Sequence, residues 1–260
     1  TWYEKHDISS TDMHPFLHAF SPAIDPPWEA KTDHETFKAL AYEFTRLAKK
    51  HLGVRKDIVS VPLLHDTPGQ IAQPGGHAPD WKNTPGMVGV PGKNMPNFVT
   101  VERDYGALYD MYTTIGPLFD KLGATTKFIT YDLKDEVAKM AKEFGVMDSG
   151  KGAGRPALDT DVKIAESIMM ISGTSNGEVA IKGFKELEKQ TGLHLMDLAE
   201  GNEERRITFP MTQSAPQPVM TSPEWSGSET GGRRYAPFTV NIEKKKPFHT
   251  LTGRMHFFLD

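Results

Sequence analysis

The sequence predicts an α+β chain with a mainly helical middle and short strands towards its C-terminal part, or a helical insertion hung between two parts of a larger α/β protein. Three observations predict it. Apolar residues recur at helical spacing through the middle of the chain. Beyond Arg206 the texture turns to short β-like runs broken by Pro, Ser and Gly. Residues 1–27 and 62–96 are too rich in Pro, Gly, His and Ser to sustain periodic elements. At 260 residues with 38% hydrophobic side chains, the chain can bury a substantial core.

Taken in order, residues 1–27 read as an ordered loop. From Asp33, the residues Phe37, Leu40, Ala41, Phe44, Leu47 and Ala48 share one helical face, with Thr32 or Asp33 as cap and Gly53 past the end. Residues 62–96 form a long Pro/Gly excursion, a length that within a compact domain suits a binding or packing role as well as flexibility. Residues 102–119 carry Tyr105, Leu108, Tyr109 and Tyr112 on one helical stripe, and residues 127–130 look like a short strand. Helices follow over 134–144 and over 161–171, the second lined by Val162, Ala165, Ile168 and Met169, with a linker at 145–156 between them. A further helix over 177–190 turns Val179, Phe184 and Leu187 inward and stops at Gly192. Short β-like pieces then occupy 206–209, 218–220, 238–242 and 248–251.

The formal net charge of -4 and a pI near 6.2 offer no basic surface for nucleic acid. No apolar run approaches the roughly 18 residues that would span a bilayer, so no direct membrane insertion is expected. With no Cys, this sequence holds no disulfide, thiolate metal site or cysteine nucleophile. The chain begins at Thr1 and stops after a strand-like run, and it reads as cut from something longer.

Three polar constellations carry candidate chemistry. Glu4, Lys5, His6 and Asp7 are followed by Asp12, His14 and His18. Pro15 between the two later histidines argues for hydrogen-bonded or solvated rings rather than zinc ligands. Asp33 opens a helix, where its carboxylate could accept orphan N–H groups of the first turn or accept from a ligand's N–H donors. Thr252, Gly253 and Arg254, after the basic run 244–246, offer a hydroxyl, backbone N–H groups and a guanidinium, suited to phosphate or to an ordinary strand-entry turn. The Gly-rich run 150–154 has neither a preceding strand nor a closing Lys-Ser/Thr and reads as a flexible linker, not a phosphate loop.

Three runs in this order, TWYEKHD at 1–7, DPPWEAKTD at 25–33 and TLTGRMHFF at 250–258, resemble the molybdopterin oxidoreductase superfamily. VERDY at 101–105, SNGE at 175–178 and GGRRYAPFTVNIE at 231–243 narrow the resemblance to the alpha subunit of respiratory nitrate reductases, over essentially the whole chain. The resemblance implies an excerpt of a larger α/β molybdopterin oxidoreductase. Residues 1–56 would end its molybdopterin-binding domain, 57–237 would be a family-specific, mostly helical insertion, and 238–260 would start its C-terminal β-barrel domain.

By the same resemblance the whole subunit reduces nitrate to nitrite at a molybdenum bis(molybdopterin guanine dinucleotide) centre, with electrons from quinol through [4Fe-4S] clusters. An iron-sulfur beta subunit and a membrane cytochrome b gamma subunit would be its partners, at the cytoplasmic face of the membrane. Lys5, Asp33, Thr252, Gly253, Arg254, Met255 and His256 fall on cofactor-binding positions of the superfamily. The superfamily's Glu-Lys is often followed by an acid and Gly, whereas His6 and Asp7 stand here. The molybdenum ligand and cluster ligands of the family lie outside this sequence, so no catalytic or metal residue is expected in it. The chain alone is expected to bind no cofactor and to be inactive. Two alternatives remain: an interaction module that touches no cofactor, and a related molybdoenzyme acting on selenate or (per)chlorate.

Overall fold

The structure is a computed structural model that describes residues 5–10, 16–61, 84–92, 94–126, 129–223, 229–230 and 233–234. The expected strands at 238–242 and 248–251 lie outside the described residues, as do His14 and residues 62–83. The fold class is α+β, as expected, and among the described residues strands also occur ahead of the helical middle, within 7–20 and 54–104.

The first difference is at the N-terminal end, where two strands replace the expected loop. Strand β1 (Asp7–Ser10) pairs antiparallel with β2 (Phe16–Phe20), and β2 takes β7 (Gln217–Pro218) on its other edge. Five residues are too few for alternation to show in the sequence, yet Leu17 turns inward from β2 and is buried.

Helix α1 (Asp33–His51) forms where expected. Its cap is Thr32, whose Oγ1 accepts from Glu35 N at 3.1 Å, while Asp33 and Glu35 place negative charge in the first turn. Strand β3 (Val54–Val61) follows and pairs over its whole length with β4 (Asn97–Asp104) as a two-stranded antiparallel ribbon. The helix expected from residue 102 therefore starts later. The backbone of β4 is engaged with β3, and Asp104 Oδ1 accepts from Gly106 N at 3.0 Å to open a 3-10 turn (Tyr105–Ala107) before α2 (Leu108–Tyr112). The aromatic stripe is half-buried rather than core.

Helix α3 (Leu118–Leu122) leads into a hairpin of β5 (Ala124–Thr126) and β6 (Ile129–Tyr131). Helices α4 (Lys134–Phe144), α5 (Asp161–Ile171) and α6 (Gly177–Thr191) occupy the expected positions, and Gly192 closes α6 in the left-handed conformation at φ 70°. On α5 the buried face is Ala165, Glu166, Ser167, Met169 and Met170, whereas Val162 and Ile168 are exposed, a rotation away from the expected stripe. The short helix α7 (Phe209–Ser214) starts where a β-like piece was expected, with Pro210 in its first turn.

The segment between α4 and α5 is built, not flexible. Arg155 donates from Nη1 and Nη2 to both oxygens of Asp120, at 2.6 and 3.1 Å, and from its other N–H groups to the carbonyls of Ile115 and Gly116. Lys151 N donates to Asp110 Oδ2 at 2.9 Å. Gly150 and Gly154 have φ of 77° and 76°, which explains their place in the run: they turn the chain, and no phosphate loop is formed.

Two apolar clusters organise the molecule. In one, Ile129, Tyr131 and Leu133 pack against Val179, Phe184 and Leu187 of α6 and against Leu195. In the other, Leu17, Ala165, Met169, Ile207 and Phe209 meet. Each large side chain so buried stabilises the fold by roughly 1.5–3 kcal/mol. Between the clusters Arg206 forks onto Glu143, at 2.7 and 2.9 Å, and also reaches Glu166 at 2.9 Å; Glu166 in turn accepts from Phe209 N at 2.6 Å. Fully buried Glu136 takes both of its hydrogen bonds from Lys182, at 2.8 and 3.0 Å.

Candidate functional site

Lys5 and Asp33, well separated in sequence, meet at the N-terminal end of α1. Lys5 Nζ stands 2.7 Å from Asp7 Oδ2 and 3.6 Å from Asp33 Oδ2. Strand β1 places Asp7 there, and its second oxygen is fixed by accepting from Ile8 N at 2.8 Å. The hydrogen bond that Lys5 donates to Asp7, with the charges of both carboxylates, outweighs burial and holds the Lys5 ammonium above its usual pKa. The three side chains sum to a formal charge of −1, and the Asp33 side chain is 87% exposed. Such a site offers acceptor oxygens to a ligand's N–H donors, while an anion approaching Lys5 competes with Asp7.

The floor of this site ties α1 to α5. Thr32 Oγ1 donates to Asp161 Oδ1 at 3.0 Å, and Lys38 Nζ donates to the Asp159 carbonyl at 2.8 Å. The His34 ring stacks on Tyr112 with centroids 5.5 Å apart and planes at 15°, and the Tyr112 hydroxyl donates to the His34 carbonyl at 3.3 Å. Burial, with the charge of Asp161 added, raises the Tyr112 pKa and keeps its hydroxyl a donor. His6 sets its ring edge-on to Phe209, centroids 5.9 Å apart.

From the sequence Asp7 was placed in a polar constellation with Lys5 but given no cofactor-binding role, and His34 was not singled out. Asp7 reaches Lys5 from the first residue of β1, a strand the sequence did not announce. His34 had no signal in the sequence. Thr252, Gly253, Arg254, Met255 and His256 lie outside the described residues. Among the described residues no group of three or more His, Asp or Glu is placed to hold a metal ion, and no helix is long and apolar enough to cross a membrane.

The family described as nitrate reductase alpha chain, domain V, matches residues 122–243. A nitrate reductase alpha subunit of Mycobacterium tuberculosis is 59% identical over the full length of this chain. The chain belongs to the nitrate reductase alpha chain family. It is 45% identical to a nitrate reductase alpha chain of Bacillus subtilis and 39% identical to a respiratory nitrate reductase 2 alpha chain of Escherichia coli, each match covering all of this chain. In all three cases the chain spans 21% of the relative's length.

Two of the runs that carry the family resemblance have structural explanations. Ser175 and Asn176 are buried, and their side chains donate to the carbonyls of Met169 and Met170, at 2.8 and 2.7 Å, which closes α5. Asn176 also caps α6 by accepting from Glu178 N at 3.2 Å. Asp104 and Tyr105 turn β4 into the 3-10 segment, with the Tyr105 hydroxyl donating to Asp57. The 122–243 match contains the whole buried cluster formed by β6, α6 and the residues after it.

Proposed function

We propose that this chain works as part of the catalytic subunit of a respiratory nitrate reductase, which reduces nitrate to nitrite with electrons from quinol. The observation that supports this best is the match of the whole chain to alpha chains at 59, 45 and 39% identity. In this reading residues 1–56 end the molybdopterin-binding domain, 57–237 form a family-specific insertion, and 238–260 begin the C-terminal barrel. The subunit would work at the cytoplasmic face of the membrane with iron-sulfur beta and cytochrome b gamma subunits, its own [4Fe-4S] cluster lying outside this sequence.

A molybdenum bis(molybdopterin guanine dinucleotide) group, when bound, supplies the two-electron chemistry. The donor set at the start of α1 suits one part of such a group. Asp33 accepts from the N–H edge of a guanine, and Lys5, held protonated between carboxylates, steadies Asp33 and donates to an oxygen that displaces Asp7. Thr252, Gly253, Arg254, Met255 and His256 supply the hydroxyl, backbone and guanidinium donors for the pterin and pyrophosphate. A dinucleotide site divided between this chain and residues outside it leaves the chain alone without cofactor and without activity.

Reduction of nitrate by reduced viologen, measured with molybdenum content on the full-length subunit and on this chain, tests the reading. Activity and metal in the full-length subunit and neither in this chain is the expected result. Stoichiometric molybdenum in this chain alone would overturn the divided site. A metal-loaded full-length subunit that ignores nitrate and reduces perchlorate would overturn the substrate. The observation behind that second substrate is slight, a 50% identical stretch of 40 residues in a perchlorate reductase subunit alpha of Dechloromonas aromatica, 15% of this chain.

A further inference from the structure

Helix α1 buries its small residues and exposes its large ones. Ala41, Thr45 and Ala48 face the 3-10 turn and α2, where Thr45 Oγ1 accepts from Tyr109 N at 2.8 Å. Phe37, Leu40, Phe44 and Leu47 are 57, 59, 40 and 47% exposed. At 3.6 residues per turn these four lie on one flank, spaced three, four and three apart, adjoining the buried stripe and running about 15 Å along the helix. Arg46 and Lys49 lie on the opposite side, and Glu43 and Lys50 border the flank. The helix is thus amphipathic with an apolar half wider than its partner covers. The ribbon repeats the pattern. Ile58 and Phe98, diagonal neighbours on one face of β3 and β4, are both 74% exposed.

We infer that the Phe37–Leu40–Phe44–Leu47 flank is an internal packing seam, covered in the full-length alpha chain by residues of the same polypeptide outside this sequence. The inference rests on the reading of this chain as part of a longer alpha chain. Relatives that match it end to end carry about four fifths of their length elsewhere, since the match takes 21% of each. The flank is continuous with a buried helix face and carries no charged side chain between its four apolar ones, the composition of a surface that is covered. A second copy is a poor occupant. Four half-exposed side chains offer on the order of 400 Å², against the roughly 800 Å² that each partner of a stable pair buries.

Hydroxyl-radical footprinting read by mass spectrometry at these four residues tests it, on the full-length subunit expressed without partner subunits and on this chain. Oxidation at least about ten-fold slower in the full-length subunit, unchanged by protein concentration or by added partner subunits, is the expected result. Equal labelling in the two proteins overturns the seam. Protection that appears only with partner subunits, or that grows in this chain with concentration, overturns the assignment to the same polypeptide. A paired Leu40→Asp, Phe44→Asp variant gives a second readout. Its full-length subunit should lose most of its soluble yield, while this chain keeps its circular dichroism; an unaffected full-length yield overturns the proposal. A protected subunit that does not reduce nitrate would instead sink the activity and leave the seam standing.

Discussion

At the start of α1 two neighbouring residues divide what a single acid might have done. Thr32 makes the capping hydrogen bond, so Asp33 is released from that duty and stands 87% exposed beside Lys5. Thr32→Ala should therefore lower the stability of the chain by about 0.5–2 kcal/mol, the cost of a lost cap. Asp33→Asn should leave thermal unfolding of the chain nearly unchanged, yet weaken guanine-dinucleotide retention by the full-length subunit by about 1.5–3 kcal/mol, the worth of a hydrogen bond to a charged group. Equal losses of stability from both changes would return Asp33 to a capping role. Acid should act through the ion pairs Arg206–Glu143 and Arg155–Asp120. The Arg206 hydrogen bonds, acting against burial, hold Glu143 below its ordinary pKa of 4.5, and the Arg155 hydrogen bonds hold Asp120 below 3.8. A depressed folded pKa contributes stability that is present above the unfolded value and is lost as pH falls through the folded one. The wild-type advantage in melting temperature over Glu143→Gln should thus hold steady at neutral pH and shrink below about pH 4.5. An advantage constant down to pH 3 would show that Glu143 contributes nothing through its charge.

At the scale of elements, long helices were legible and short strands were not. In α6, fifteen residues give room for Val179, Phe184 and Leu187 to repeat on one face, and Asn176 and Gly192 mark its ends. Strands β1 and β2 have four and five residues and are defined by pairing with each other and, for β2, with β7, whose residues Gln217 and Pro218 face Leu17 and Phe16 from the far end of the chain. No local signal encodes such a partner. The aromatic stripe from Tyr105 to Tyr112 is helical as its spacing implied, but the helical segment starts at Tyr105 and not at residue 102, because 97–104 pairs with 54–61. The Ser175-Asn176-Gly177 corner is where one element depends on one residue. A Cβ on Gly177 would overlap the carbonyls of Asn202 and Glu203, both backbone atoms that cannot swing away, and Gly177 N already donates to Arg205 O at 2.8 Å. Gly177→Ala should destabilise the chain by about 3 kcal/mol or more, the upper range for overpacking. Gly192, with nothing within 4 Å of a Cβ, accepts Asn in its left-handed turn at a cost of less than about 1 kcal/mol. Chemical denaturation of the two variants compares them, and similar midpoints would refute the close-approach account.

Across the whole molecule, membership in the alpha chain family was legible because six separated runs appear in one order, although two of them, around Asp104 and Ser175, hold turns and caps. The Lys5–Asp33 pairing was legible as two candidate positions, and their meeting with Asp7 was not, because it depends on β1 forming. Which apolar residues face inward was also illegible on α1, since the sequence marks an apolar half without saying which partner lies inside the chain. Local stability should follow from this arrangement. Helix α6 is buried along Val179, Ala180, Phe184 and Leu187 and closes a cluster with β6, whereas the β3–β4 ribbon is two-stranded, exposes Ile58 and Phe98, and takes no third strand among the described residues. A lone two-stranded ribbon is marginal in water, so its interstrand amides should open locally and exchange hydrogen at rates set by small opening energies. Amides of α6 should exchange only through global unfolding. Hydrogen exchange of this chain should therefore rank residues 97–104 orders of magnitude faster than residues 179–188, and the gap should close on adding denaturant as global opening takes over. Equal protection of ribbon and helix in the absence of denaturant would mean that the ribbon has a covering partner within this chain.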